Sequence, residues 1–176
     1  MAVKVSDRSE AKLEALEKTF EFVQYTLQLC NNEKIFPKRH RWYMTARIAN
    51  AVLECYTELK EANDTYVNAE DVSYANVSKA RSRLDHEQMA KDKISEVLAL
   101  MQFAYEDPHF PIESKRMNYW THLCLECKKL IQGYADRDRL RFGKIASIGI
   151  SLPEGTCWLR TGGGGLLTPT TLTTCN

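Results

Sequence analysis

Apolar residues step along this chain by threes and fours in four separate stretches, a spacing that predicts four amphipathic helices. The first runs from roughly Ser9 to Cys30, where Leu13, Leu16, Phe20, Val23, Leu27 and Cys30 form a heptad seam suited to lengthwise packing on a neighbour. Asp7 or Ser9 is placed to cap its start, and Glu10, Glu14 and Glu17 lie where the helix dipole favours anions. Asn31 and Asn32 end it. The second runs from about Arg39 to Asn63, with Ile48, Val52, Cys55, Leu59 and Ala62 on one face. Pro37, whose φ is fixed and which has no N–H to satisfy, suits the approach to its first turn.

Between Asp64 and Ser78 the residues carry turn formers and no clean period, which reads as a loop or a short irregular helix. The third helix is expected from about Lys79 to Tyr105. Its apolar end holds Ile94, Leu98, Met101 and Tyr105, but Glu87 and Lys91 fall on the seam, so its N-terminal half is expected to be the more exposed. Pro108 and Pro111 bracket a tight connection, and the fourth helix then carries Trp120, Leu123, Cys127, Leu130 and Tyr134 on one side.

Four such segments with mostly short connections predict an all-α fold, an up-and-down antiparallel four-helix bundle. The organisation is then a lead over 1–8, a bundle domain over 9–142 and a tail over 143–176. The tail is Gly- and Thr-rich, nearly uncharged and without helical period; Ile145, Ile148 and Ile150 are candidates to pair as a short strand, and the run Gly162 to Gly165 favours a loosely attached segment.

At 176 residues the chain suits one domain with a real core. No apolar run reaches the about 18 residues that would suggest a membrane span, and the first residues lack the apolar stretch of a signal peptide. A cytoplasmic location with reduced thiols is therefore expected. The six cysteines include a C-x-x-C at Cys124 and Cys127, but no second pair at ligand spacing accompanies it. Cys30, Cys55 and Cys127 lie on the apolar stripes, where a thiol packs as a small hydrophobe.

Candidate catalytic chemistry is sparse. No phosphate-binding glycine loop leads into Lys and Ser or Thr, and His40, His86, His109 and His122 are scattered over different segments. A di-iron bundle wants a repeated Glu-x-x-His motif, which is absent. A non-enzymatic protein without cofactor or metal is expected.

Charge changes the picture. The formal net charge is only +1, yet Lys34, Lys38, Arg39, Arg41 and Arg47 fall together with no acidic residue between Lys34 and Ala51. Lys115 and Arg116 open the fourth helix, Lys128 and Lys129 lie within it, and Arg137, Arg139, Arg141 and Lys144 follow; Lys79, Arg81 and Arg83 open the third. In an up-and-down bundle the second and fourth helices start at one end, so Lys38, Arg39, Arg41, Lys115 and Arg116 are expected to gather there. Such a cluster binds phosphates or an acidic protein surface, and Trp42, Tyr43 and Tyr119 are near enough to stack on unpaired bases. Trp42 and Trp120 are also natural core or interface residues.

The stretches FPKRHRWYMTARIANAVLECYTELKEAN and EDPHFPIESKRMNYWTHLCLECKKLIQGY resemble the Avd family, the accessory variability determinants of diversity-generating retroelements. The resemblance covers roughly Leu13 to Arg141 and rests on the Phe-Pro-basic run before the second helix, the Arg47-Ile48 step and the closing helix with Leu130 and Tyr134. A sister family, the four-helix-bundle proteins encoded in intervening sequences of 23S ribosomal RNA genes, shares the Phe-Pro-Lys start. It continues with a Ser-Ile-Pro-x-Asn-Ile-Ala-Glu-Gly motif, where this chain reads Ala49 to Cys55 without proline or glycine.

Resemblance to Avd implies a basic homopentamer of four-helix bundles that binds the element's reverse transcriptase and template RNA and supports mutagenic copying into a variable gene. An interaction module related to the ribosomal intervening-sequence proteins, of unspecified partner, is the alternative. In such elements the accessory gene often adjoins the template repeat, and an adenine-rich repeat read one base out of frame gives threonine codons. The segment TPTTLTTCN after GGGGLL fits a reading frame that runs into that repeat. A nucleotide sequence with no adenine-rich repeat across this 3′ end would exclude it.

Overall fold

The computed structural model describes residues 5–148. Among the described residues the chain is all-α: α1 (Val5–Asn31), α2 (Ala46–Asp64), α3 (Tyr74–Glu106) and α4 (Ser114–Ala146), with no strand. A 3₁₀ turn at Lys38–His40 and a single π turn at Arg41–Thr45 lead into α2. α1 and α3 each pack against both α2 and α4. No helix among these is long and apolar enough to cross a membrane.

The face expected for α2 is the face that is buried. Ile48, Val52, Cys55, Leu59 and Ala62 are all at most 1% exposed, and fully burying a side chain such as Ile48 contributes about 1.5–3 kcal/mol. α4 likewise buries Trp120, Leu123, Cys127 and Tyr134, with Leu130 at the margin.

α1 departs from its expected register. Its core line is Ala15, Thr19, Phe22, Thr26 and Leu29, flanked by Val23 and Cys30, while Phe20 is 47% exposed and Leu16 and Leu27 are only partly buried. Two threonines occupy core positions because their hydroxyls are satisfied there. Thr19 Oγ1 donates to Ala15 O at 2.7 Å, and Thr26 Oγ1 accepts from Trp120 Nε1 at 2.9 Å. Asp7 and Ser9 fall within the helix, whose described bounds are Val5–Asn31.

α3 begins at Tyr74, five residues earlier than the expected Lys79, because Ser73 caps it: its Oγ accepts from Asn76 N at 3.4 Å. The Asn76 side chain also orders the preceding loop, donating to Asn68 O at 2.8 Å and accepting from Asn68 N at 3.0 Å. The N-terminal half of α3 is not the exposed half. Arg83 and Glu87 are 2% and 1% exposed, beside Asp138 of α4 at 1%.

Arg83 Nε donates to Asp138 Oδ2 at 2.6 Å and Nη1 to Thr65 O at 2.7 Å, while Nη2 donates to Tyr134 Oη. The Glu87 carboxylate lies 3.4 Å from Arg83 Nε. The guanidinium carbon is 5.5 Å from the ring centres of both Tyr134 and Phe142. Arg83 therefore joins the main core to a smaller cluster of Val67, Val77, Ala80, Phe142, Ile145 and Ala146.

α4 passes through Gly143 and Lys144 to Ala146. Ile145 is helical and buried, so it does not contribute to a strand. Arg81 of α3 caps this end, its Nε donating to Ala146 O at 2.8 Å and its Nη2 to Ile148 O. Ile150 and the glycine- and threonine-rich segment lie outside the described residues.

Candidate functional site

After α1 the chain turns on Asn32, whose carbonyl accepts from Ile35 N at 2.9 Å and Phe36 N at 2.8 Å. Ile35 and Phe36 are each 2% exposed, and Phe36 meets Phe110 and Trp120 with ring centres 5.3 and 6.3 Å apart. Pro37 follows with φ −59° and ψ 145°, an extended setting from which the 3₁₀ turn starts. With Phe36, His40 and Met44 turned inward as anchors, Lys38, Arg39, Arg41, Trp42 and Tyr43 are left outside. Trp42 is 89% exposed. A π turn carries this segment, and such turns recur at functional sites.

His40 is the pivot. Arg39 Nε donates to its Nε2 at 2.7 Å, which assigns the ring proton to Nδ1, and Nδ1–H then donates to Tyr43 Oη. Its ring packs 5.1 Å from both His109 and Phe110 of the α3–α4 connection. Burial, then the Arg39 charge and then His109, lower the His40 pKa below its ordinary value and favour this neutral ring. Asp107 is held below the usual carboxylate range first by the backbone N–H of His109 and then by that residue's ring, whose Nδ1 lies 2.7 Å away.

The contacts of Phe36 and His40 with His109 and Phe110 bring the segment before α2 against the segment before α4. There the cations differ in their partners. Glu33, immediately before the acid-free run, lies 3.0 Å from Lys38 Nζ and 3.9 Å from Arg41 Nη2. All three side chains are more than half exposed, so these pairs are worth about 0–1 kcal/mol and leave the cations available. Lys34 is exposed on the same turn. Lys115 and Arg116 share a groove with Glu113, Tyr25 and Tyr119, whose two phenol rings meet edge to face at 4.9 Å.

Of the other predicted residues, Arg47 borders this surface, lining a groove with Trp42 and Tyr43, and the rest do not join it. Arg47 faces α3 and pairs with Glu96 at 3.4 Å, in a balanced network where Lys93 meets Glu54 at 2.6 Å and Glu96 at 3.3 Å. The hydrogen bonds that Lys93 donates to these carboxylates raise its pKa, and the one to Glu96 leads in lowering the Glu96 pKa. Lys128 and Lys129 are exposed midway along α4. Arg137, Arg139 and Arg141 sit near its far end, where Arg137 Nε donates to Gly133 O at 3.0 Å and Arg141 lies 3.3 Å from Asp138 and 4.9 Å from the Phe142 ring centre. Of the basic residues that open α3, Arg83 is buried and Arg81 is occupied as a cap.

Glu33 and His40 are the residues of this site that sequence reasoning missed. Glu33 stands one position outside the acid-free run, and nothing local marks His40 as buried. Set against known proteins, the chain matches no family model, no curated protein and no solved structure.

Proposed function

We propose that this protein is a non-enzymatic accessory factor of a diversity-generating retroelement, an up-and-down four-helix bundle acting in the cytoplasm as a homo-oligomer, a pentamer by its resemblance to Avd. Its basic end binds template RNA and the reverse transcriptase, supporting mutagenic reverse transcription and retrohoming. The observation that carries this reading is the outward set of Lys38, Arg39, Arg41 and the 89% exposed Trp42 on one short turn. Cations supply sequence-independent attraction to phosphate, and an exposed indole stacks on unpaired bases. Neighbouring gene content and co-purification test it: a reverse transcriptase encoded beside this gene should be retained by the protein and released when Lys38, Arg39 and Arg41 are replaced by Glu. Retention of the transcriptase by that variant would exclude this surface.

A second reading, an interaction module with a protein partner, draws support from the acidic residues set beside these cations. Glu33 beside Lys38 and Arg41, and Glu96 beside Arg47, give the surface the mixed charge of a protein interface. A partner retained after ribonuclease treatment, with no RNA bound, distinguishes it.

A further inference from the structure

Away from the basic end, α2 presents a row of carboxylates to α3. Glu54 in this row has a lysine partner, Lys93. One turn further on, Glu58 and Glu61 share a single imidazole instead: His86 Nδ1 lies 2.7 Å from Glu58 Oε2 and 3.4 Å from Glu61 Oε2. Among the described residues neither carboxylate has a Lys or Arg partner, so even a protonated His86 leaves the trio one negative charge in excess. The three ligand atoms lie within 4.8 Å of one another.

We propose that Glu58, Glu61 and His86 form a binding site for a divalent transition-metal ion of the zinc class, joining α2 to α3. The donor set decides the class. An imidazole with two carboxylates suits Zn²⁺ and its neighbours, whereas Mg²⁺ and Ca²⁺ favour oxygen alone. Geometry agrees: ligands about 2.0–2.1 Å from a tetrahedral ion are about 3.3 Å from one another. The Glu61 to His86 spacing already has that value, and the Glu58 to His86 spacing reaches it when the metal replaces the proton that now joins them.

The side chains of Glu58 and His86 are 23% and 22% exposed and that of Glu61 is 54% exposed, so the site opens to solvent on one side. Three protein ligands and an open fourth position describe an exchangeable ion completed by water, not a closed structural centre. The buried cysteines do not compete, because burial pushes the thiols of Cys30, Cys55, Cys124 and Cys127 up to about 12 and withholds the thiolate. The site is independent of the nucleic-acid reading above.

The test is calorimetric titration of Zn²⁺ into the full chain carrying Cys157→Ser and Cys175→Ser, with Co²⁺ absorption as a second readout. One equivalent of Zn²⁺ should bind, with a tetrahedral Co²⁺ spectrum and with affinity that falls as pH is lowered. His86→Gln and Glu61→Gln should each weaken it at least about tenfold while His122→Gln leaves it unchanged. Circular dichroism identifies any variant that fails to fold, and Glu61→Gln, at the more exposed position, keeps the test open if His86→Gln does. Absence of a stoichiometric event, or an affinity that a folded Glu61→Gln variant retains, overturns the proposal.

Discussion

Arg83 on α3 and Asp138 on α4 meet through a 2.6 Å hydrogen bond from Nε to Oδ2, with both side chains excluded from water. The desolvation of such a pair is large, so its partners depend on each other. Arg83→Met alone should remove the cation that the buried Asp138 and Glu87 carboxylates face and cost about 3–5 kcal/mol in urea denaturation. Replacing the cluster together, with Arg83→Met, Glu87→Leu and Asp138→Leu, should recover most of that loss. Equal destabilisation by the single and triple variants would show that packing, not charge, governs this end.

The four buried cysteines make a pH prediction. Burial raises their thiols from an ordinary 9.0 to about 12. Above pH 9 the unfolded chain therefore binds fewer protons than the folded one, and stability present below pH 9 is lost as pH rises towards 12. Denaturation midpoints should fall across that interval. With Cys157 and Cys175 replaced by Ser, a thiol reagent at pH 8 should label the native protein slowly and all four cysteines rapidly after unfolding.

His40 gives the opposite sign. Its folded pKa is lowered, so the stability it confers is present above its ordinary 6.5 and is lost as pH falls through and below that value. Its ring resonances should titrate with a midpoint below 6.5, whereas Arg39→Ala should move the midpoint up. An unmoved midpoint would separate Arg39 from the anchoring of this turn.

Trp42 touches solvent over most of its surface. Trp42→Ala should leave the denaturation midpoint within about 0.5 kcal/mol of the parent. It should weaken binding to single-stranded RNA by about 1–3 kcal/mol, the usual worth of one stacked base. Quenching of its fluorescence by RNA checks the contact directly.

How much of this was legible depends on whether the deciding partner was local. The α2 face was readable because Ile48, Val52, Cys55, Leu59 and Ala62 keep a clean helical period. α1 was misread by its threonines: Thr26 looks polar until Trp120, far along the chain, supplies its hydrogen bond. Arg83 and Glu87 looked exposed for the same reason, since only folding brings Asp138 to them. The α4 terminus looked closed at Gly143 because composition changes there, but Ile145 is buried and Arg81 caps the helix beyond it. The basic turn was visible as local charge. Its anchors and the separation of Lys128, Lys129, Arg137, Arg139 and Arg141 from it depend on three-dimensional placement.

The most direct test of the proposed role is a salt titration of single-stranded RNA binding to the parent protein and to Lys38→Glu, Arg39→Glu, Arg41→Glu. The parent should bind with an affinity that falls steeply with salt, and the triple variant should lose binding while keeping its helical content and assembly. Three lost phosphate contacts should reduce the logarithmic salt slope by about 2 if any binding persists. Equal affinity and equal slope for the two proteins would contradict the assignment of this turn as the RNA-binding surface.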